Sequence, residues 1–369
     1  MFVKRKFLLF SLFLLTVSLV QGCSGQVNTK ADSADASSNG KETITIGYQT
    51  PTAQTWGALI VKNQRLFEKY LKEQHPDKDF NIVWFDANAG SILNNNMVGG
   101  KIQISFLGDM PSLLNAEAGL KQSNYNSVFL AFDGKGYEGI NQSIVVPKGS
   151  KITSIEDLKG KTVSTPIGSS SHRMLLDALE QHNLVNEVEI VDQSVTVGMQ
   201  SVEQNKISAH STWEPYPSLI ESNNVGDILL SGEETKIDYL AAVVANADWA
   251  KENRSYVIAF LQALNEAHQL ALNDPKKAAQ IFQEESKFPY EITLKMAENI
   301  RFDSTVYQKD IDTLNSSIDF LTSIGRLNEA IKLKNFIDDR YLREAIEQQE
   351  TPYLTDEELQ GEWIKERVY

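Results

Sequence analysis

The chain opens on an apolar run from Phe7 to Val20, broken only by Ser11, Thr16 and Ser18. Its 14 residues fall short of the roughly 20 that a membrane-spanning helix needs. From Ser24 to Glu42 the apolar pattern stops, and Ser, Asn, Asp, Ala and Gly prevail. Such a composition cannot bury enough surface to order itself, so the segment reads as a tether. Beyond it the spacing of apolar residues switches repeatedly between two and three-to-four. Thr43 to Tyr48 alternates as a strand, Trp56 to Glu73 has helical spacing, and Asn81 to Phe85 is a second strand. Ser91 can cap a short helix closed by Gly99-Gly100. Ile102 to Leu107 is a third strand ending in Gly108-Asp109, and Pro111 sits in the first turn of the helix that follows. This order predicts a mostly parallel sheet with helices on both faces.

The pattern then restarts. Ser143 to Pro147 and Lys161 to Thr165 read as strands, separated by a short helix capped at Ser154. Gly168-Ser169-Ser170-Ser171-His172 leads into an amphipathic helix, Val188 to Val191 is a strand, and Val195 to Asn205 a helix. Ile207 to Thr212 is a last strand, ending in Trp213-Glu214-Pro215-Tyr216. Strand Tyr239 to Ala245 reads as a return to the first lobe, followed by helices with Ile311, Leu314, Ile318, Leu321 and Ile324 three and four apart. The division expected is residues 43–142 plus 240–345 for lobe 1, 143–239 for lobe 2, and a helical tail over 346–369. Within that tail, Thr355 to Val368 reads as an acidic amphipathic helix with Leu359 and Trp363 on one face.

Composition narrows the function. The chain has 369 residues, 35 Lys and Arg against 49 Asp and Glu, and a formal net charge of −14. A duplex nucleic-acid binder would need a basic footprint, so nucleic acid is excluded as a partner. One cysteine rules out an internal disulfide and any multi-cysteine metal site. No His-x-x-x-His spacing occurs, and no metal or cofactor is indicated. That single cysteine ends the sequence Val20-Gln21-Gly22-Cys23 after the cationic start Lys4-Arg5-Lys6 and the apolar run. The arrangement resembles a bacterial lipoprotein signal over residues 1–22, which implies cleavage before Cys23 and lipidation of its sulfur. Loss of the three cations would take the net charge from −14 to −17, suited to a body tethered to a membrane through its anchor, on the extracytoplasmic face.

In open α/β sheets ligands sit at the carboxyl ends of strands. That rule selects Tyr48-Gln49, Gly108-Asp109, Gly168 to His172, and Trp213-Glu214, which two facing lobes would gather around one cleft. At Gly168–His172, three hydroxyls and the free N–H groups of a helix start can donate to an oxyanion, although one serine alone would serve as a cap. The Gly-x-Ser-x-Gly elbow is absent, and helix-start neighbours do not face each other as a Ser–His pair needs. His172 therefore lines the cleft or packs. Asp109 serves as a helix N-cap or a ligand contact. Trp213 offers an apolar wall and an attractive face for an ammonium group, for which Glu214 would be the counter-charge. Tyr48 and Gln49 are uncharged groups suited to orienting a polar ligand.

Taken together, Ile44-Thr45-Ile46-Gly47-Tyr48-Gln49, Gly108-Asp109-Met110-Pro111, Val146-Pro147-Lys148-Gly149-Ser150, Ile155 to Val163, Gly168 to His172 and Trp213-Glu214-Pro215-Tyr216 resemble the substrate-binding lipoproteins of ABC importers in the taurine/alkanesulfonate/nitrate group. Asp338-Asp339-Arg340-Tyr341-Leu342 resembles the closing helix of that family. The resemblance implies an α/β, bilobal, periplasmic-binding-protein-like fold of type II, a Venus flytrap with two mostly parallel or mixed sheets flanked by helices. It implies a monomer, not an enzyme, that delivers a small solute to a membrane permease and its ATPase. By the same resemblance the serine turn would hold a sulfonate, Tyr48, Gln49 and Asp109 would line one lobe, and Trp213 and Glu214 would shape the other. Where the family often shows Trp-Asp-Pro-Tyr, this chain carries the longer Glu214. A taurine-like solute is expected if Asp109 and Glu214 meet an amine. The alternatives are a thiamine-precursor pyrimidine stacked on Trp213, a nitrate-like anion, or a lipid-anchored hydrolytic enzyme.

Overall fold

The structure, a computed structural model, describes residues 41–369. The signal-like segment, Cys23 and the tether up to residue 40 lie outside the described residues. Four strands come first: β1 (Glu42–Tyr48), β2 (Phe80–Asp86), β3 (Ile104–Gly108) and β4 (Ser127–Gly136). Five follow in a second sheet: β5 (Gln142–Pro147), β6 (Thr162–Thr165), β7 (Glu189–Asp192), β8 (Ala209–Trp213) and β9 (Gly226–Ser231). The chain then returns to the first sheet with β10 (Tyr239–Asn246) and the two-residue β11 (Arg301–Phe302). The orders are β11-β4-β10-β3-β1-β2 and β7-β6-β8-β5-β9.

Both sheets are mixed in the same way. β2, β1 and β3 run parallel, as do β7, β6 and β8, because each pair is joined through a crossover helix. β10, β4 and β11 in one sheet, and β5 and β9 in the other, are antiparallel. Alternation along each strand splits its side chains between two cores. On β10, Val243 faces the cluster of Trp56, Phe67 and Phe260, whereas Val244 faces that of Leu93, Phe132 and Leu314. In the second sheet Ile144 and Val145 divide in the same manner.

Three expectations need correction. The helix read over Trp56 to Glu73 is two, Gly57–Asn63 and Leu66–Gln74, broken at Arg65, whose φ of 52° is left-handed. Strands β4 and β9 were not expected. β4 is buried or half-buried along its whole length and lies inside the sheet between β10 and β11, so it lacks the polar alternation of a half-exposed strand. The tail is not a helix over Thr355 to Val368. Only Asp356–Leu359 is helical there, opened by a capping box between Thr355 and Glu358. After Gly361 the chain runs irregularly as a strap, because its apolar residues are drawn to separate anchors. The Trp363 indole donates to the Asp310 carboxylate at 2.8 Å. The main-chain oxygen of Tyr369 accepts from Ser304 N–H at 2.7 Å and meets His268 Nδ1 at 2.6 Å.

Candidate functional site

Strand-to-helix turns of both sheets meet at one cavity of about 170 Å³. That is below the 300–1,000 Å³ of sites for drug-sized ligands, so it has room for a small solute. Four helices begin at its wall: Gly90–Val98, Asp109–Lys121, Ser170–Gln181 and Val195–Glu203. The first contributes Ala89, Gly90, Ser91 and Asn94, the second Gly108, Pro111 and Leu114, the third Gly168, Ser169 and Ser170, and the fourth Ser194 and Val195. Gln49, Thr52, Asn88, Pro166, Ile167, Trp213 and Tyr239 complete the lining. None of these side chains is a carboxylate, ammonium, guanidinium or imidazole. Positive potential at the wall comes from the helix N-termini, each equivalent to roughly half a charge, with the Arg326 guanidinium outside the lining but beside Gly168.

The expected site residues divide. Gln49, Gly108, Gly168, Ser169, Ser170 and Trp213 line the cavity. Tyr48 does not, because side chains alternate and it points opposite to Gln49. Its hydroxyl meets Lys62 Nζ at 3.3 Å and its ring meets Trp84 edge-on at 6.0 Å. Glu214 is also turned away. Its carboxylate accepts from the Ser218 N–H at 3.1 Å and hydroxyl at 2.7 Å, with Lys295 Nζ at 3.5 Å. Burial raises its pKa, against the pull of Lys295 and Ser218. His172 packs on Phe320, and its Nδ1 accepts from Gly168 N–H at 3.2 Å. Burial lowers its pKa, so it sits as a neutral acceptor beneath the turn. That bond, with Gly168 at a left-handed φ of 82°, holds the turn's shape.

The serine hydroxyls behave differently from the expectation that all three donate to an oxyanion. Ser169 Oγ donates to the Pro166 carbonyl at 2.6 Å and caps the helix by accepting from His172 N–H. Ser170 Oγ donates to Asp109 Oδ1. Ser171 is fully buried, outside the lining, and its Oγ lies within reach of the Ser211 carbonyl, Thr165 and Ser169. With these hydrogens committed, and the N–H groups of Gly168 and Ser169 bonded to His172 Nδ1 and the Pro166 carbonyl, the turn offers an anion the main-chain N–H groups of Ser170 and Ser171 rather than its hydroxyls.

Asp109 lies behind the wall and ties the two sheets together. The helix N-cap is Gly108, and Asp109 occupies the first helical position. Its carboxylate accepts from Ser170 Oγ, from Ser317 Oγ at 3.1 Å, and from the Met110 N–H. Ser317 in turn accepts from Arg173 Nη1 at 2.9 Å, and Ser316 from Nη2 at 2.6 Å. Burial raises the Asp109 pKa, while the hydrogen bonds and Arg173 pull it down. A second tie is the Trp213 indole N–H, which reaches the Pro51 carbonyl at 2.9 Å and Thr52 Oγ1 at 3.1 Å. Its face is left to form a wall.

Sequence reasoning missed Tyr239. It is 2% exposed, lines the cavity at the start of β10, and its hydroxyl has no hydrogen-bond partner among the described residues. Burial, and then the Asp109 charge, raise its pKa well above the ordinary value, so it is a firm O–H donor. Among the described residues no group of three or more His, Cys, Asp and Glu is placed to hold a metal ion. None of their helices is long and apolar enough to cross a membrane.

This architecture is the periplasmic-binding-protein fold, two α/β units around an interposed cavity. Residues 134–278 match the NMT1/THI5-like family. An aliphatic-sulfonates-binding protein by name, from Bacillus subtilis, is 22% identical over 334 residues, covering 90% of this chain and 95% of that protein. The taurine-binding periplasmic protein of Escherichia coli is 25% identical over 236 residues, 63% of this chain and 67% of that protein. The solved alkanesulfonate-binding protein SsuA of Xanthomonas axonopodis pv. citri, bound to MOPS, superposes with a TM-score of 0.68 at 19% identity, covering 82% of this chain and 99% of that chain. The fold expected from the resemblance is the one observed, and the chain is similar in sequence to proteins named as aliphatic-sulfonate- and taurine-binding.

Proposed function

We propose that this protein captures a small sulfonate-type anion outside the cytoplasm and hands it to a membrane permease coupled to an ATPase. The observation that carries the reading is the convergence of four helix N-termini on one small cavity whose side chains bear no charge. Each N-terminus stabilises an adjacent anion by roughly 0.3–1 kcal/mol, more where water is excluded. The named relatives support the sulfonate class. The chain would act as a monomer anchored through lipid on Cys23. Lobe 1, residues 43–142 plus 240–345, and lobe 2, residues 143–239, would close on the ligand. Closure would add the Trp213 and Asp109–Ser170 bonds to the ligand's own contacts.

Thermal unfolding of the purified body with alkanesulfonates, taurine, nitrate and an aminopyrimidine tests the reading. A midpoint raised by at least one sulfonate is expected. Stabilisation by nitrate or the pyrimidine alone would overturn it.

A further inference from the structure

Resting on that reading, we infer that the cavity takes a monoanion with an uncharged body, receives a hydrogen bond from the Tyr239 hydroxyl, and selects against an ammonium-bearing zwitterion of equal size. The expectation of a taurine-like ligand depended on Asp109 and Glu214 reaching an amine, and neither lines the cavity. The Asp109 carboxylate is occupied by Ser170, Ser317 and the Met110 N–H. That of Glu214 is occupied by Ser218 and Lys295. An ammonium entering the cavity would find neutral acceptors only, such as the lone pairs of Ser169 and Ser170. It would also face the four helix N-termini that favour the anion and repel a cation. A buried charge without a counter-charge is strongly disfavoured. The uncharged end of the ligand instead meets Pro111, Leu114, Ile167, Val195 and the Trp213 ring.

Tyr239 supplies what the serines do not. Their hydroxyl hydrogens are committed to Pro166 and Asp109, whereas the Tyr239 O–H, nearly wholly buried and lining the cavity, has no partner among the described residues. A hydroxyl at the cavity wall with no protein partner can give its hydrogen bond to an anion there.

The experiment is calorimetric titration of the full chain with 1-propanesulfonate and with taurine, which differ only in a terminal methyl against an ammonium. Propanesulfonate is expected to bind at least about tenfold more tightly, the effect of one uncompensated charge at moderate dielectric. Taurine binding as tightly or more tightly overturns the inference while leaving the sulfonate reading standing. Binding of neither overturns both. Tyr239→Phe is expected to weaken propanesulfonate by about tenfold, as for a hydrogen bond to a charged group. Because the hydroxyl has no partner in the protein, the ligand-free unfolding midpoint should not fall. Unchanged affinity in the folded variant overturns the role of Tyr239.

Discussion

Gly198→Ala tests whether the second sheet holds the Val195–Glu203 helix against the cavity. A Cβ on Gly198 would lie 2.1 Å from His210 Cε1 and 2.3 Å from each ring nitrogen, whereas ordinary contact is 3.4–4 Å. The ring cannot retreat cheaply, since His210 is fully buried on β8 and its Nδ1 lies 2.9 Å from Ser164 Oγ and 3.1 Å from the Ser164 carbonyl. The helix must therefore move outward by about an ångström or more, and overpacking of this kind costs about 1–3 kcal/mol. So short a contact calls for the upper part of that range, about 2–3 kcal/mol, and alanine returns roughly 1 kcal/mol of helix propensity, so the net loss should be about 1–2 kcal/mol in urea unfolding. Ser194 and Val195 at the cavity wall move with the helix. Losing one N-terminus contribution of roughly 0.3–1 kcal/mol should weaken sulfonate binding two- to fivefold, read by calorimetry. His210→Ala removes the obstructing ring, so the double variant should be at least about 1 kcal/mol more stable than the sum of the singles implies. A Gly198→Ala protein as stable as its parent, or an additive double variant, would refute the close approach.

Two further outcomes follow from the same network. Burial lowers the His210 pKa to about 4, against an ordinary value near 6.5. Between those values the unfolded chain binds the proton and the folded one does not. The stability contributed by neutral His210 is thus complete above about pH 6.5 and is lost as pH falls toward 4, about 3 kcal/mol in all. The difference in unfolding free energy between the parent and His210→Asn, measured across that window, cancels the buried carboxylates; a flat difference would count against a buried neutral imidazole. Trp213→Phe removes the indole hydrogen bonds to Pro51 and Thr52 across the cleft. At about 1 kcal/mol this should speed ligand release three- to tenfold in stopped-flow displacement, and an unchanged release rate would remove the bond from the closure.

The elements that build the cavity were visible in the sequence because each combines a short apolar strand, a turn and a capped helix. Gly108-Asp109-Met110-Pro111 and Gly168 to Ser171 carried that signature. So did Ser194, which follows strand β7 and caps the Val195–Glu203 helix through Val197 N–H, although the sequence reading marked only the helix after it. Tyr239 was missed for a topological reason. β10 runs antiparallel to β3, so its amino end meets the cavity, and the rule that ligands sit at strand carboxyl ends pointed away from it. The fate of the hydroxyl hydrogens was illegible. Ser169 donates to a carbonyl three residues back, and Ser170 to an aspartate 61 positions distant at the start of the helix after β3. Composition and spacing carry no record of such a pairing.

A formal charge of −14 over the whole chain is compatible with the proposed capture of an anion because the buried acids are answered where they lie. Asp310 pairs with Lys135 at 2.7 Å with both side chains fully buried, and Asp133 meets His268 Nε2 at 2.7 Å. Asp303 pairs with Arg301, and Glu214 has Lys295. Asp109, behind the cavity wall, is held by two hydroxyls and a main-chain N–H, with Arg173 one serine away. The excess negative charge therefore belongs to exposed side chains, whose fields are screened within about 8 Å at physiological salt. The cavity wall itself presents the field of helix ends, with Arg326 beside the Gly168 turn; salt reaches the helix ends poorly, and they need no flexible side chain to be ordered on binding. A neutral wall backed by a satisfied aspartate is thus compatible with anion capture. Two arginines stand near the cavity without lining it: Arg173 behind the wall, held by Ser316 and Ser317, and Arg326, whose Nε is 4.0 Å from where a Cβ on Gly168 would lie.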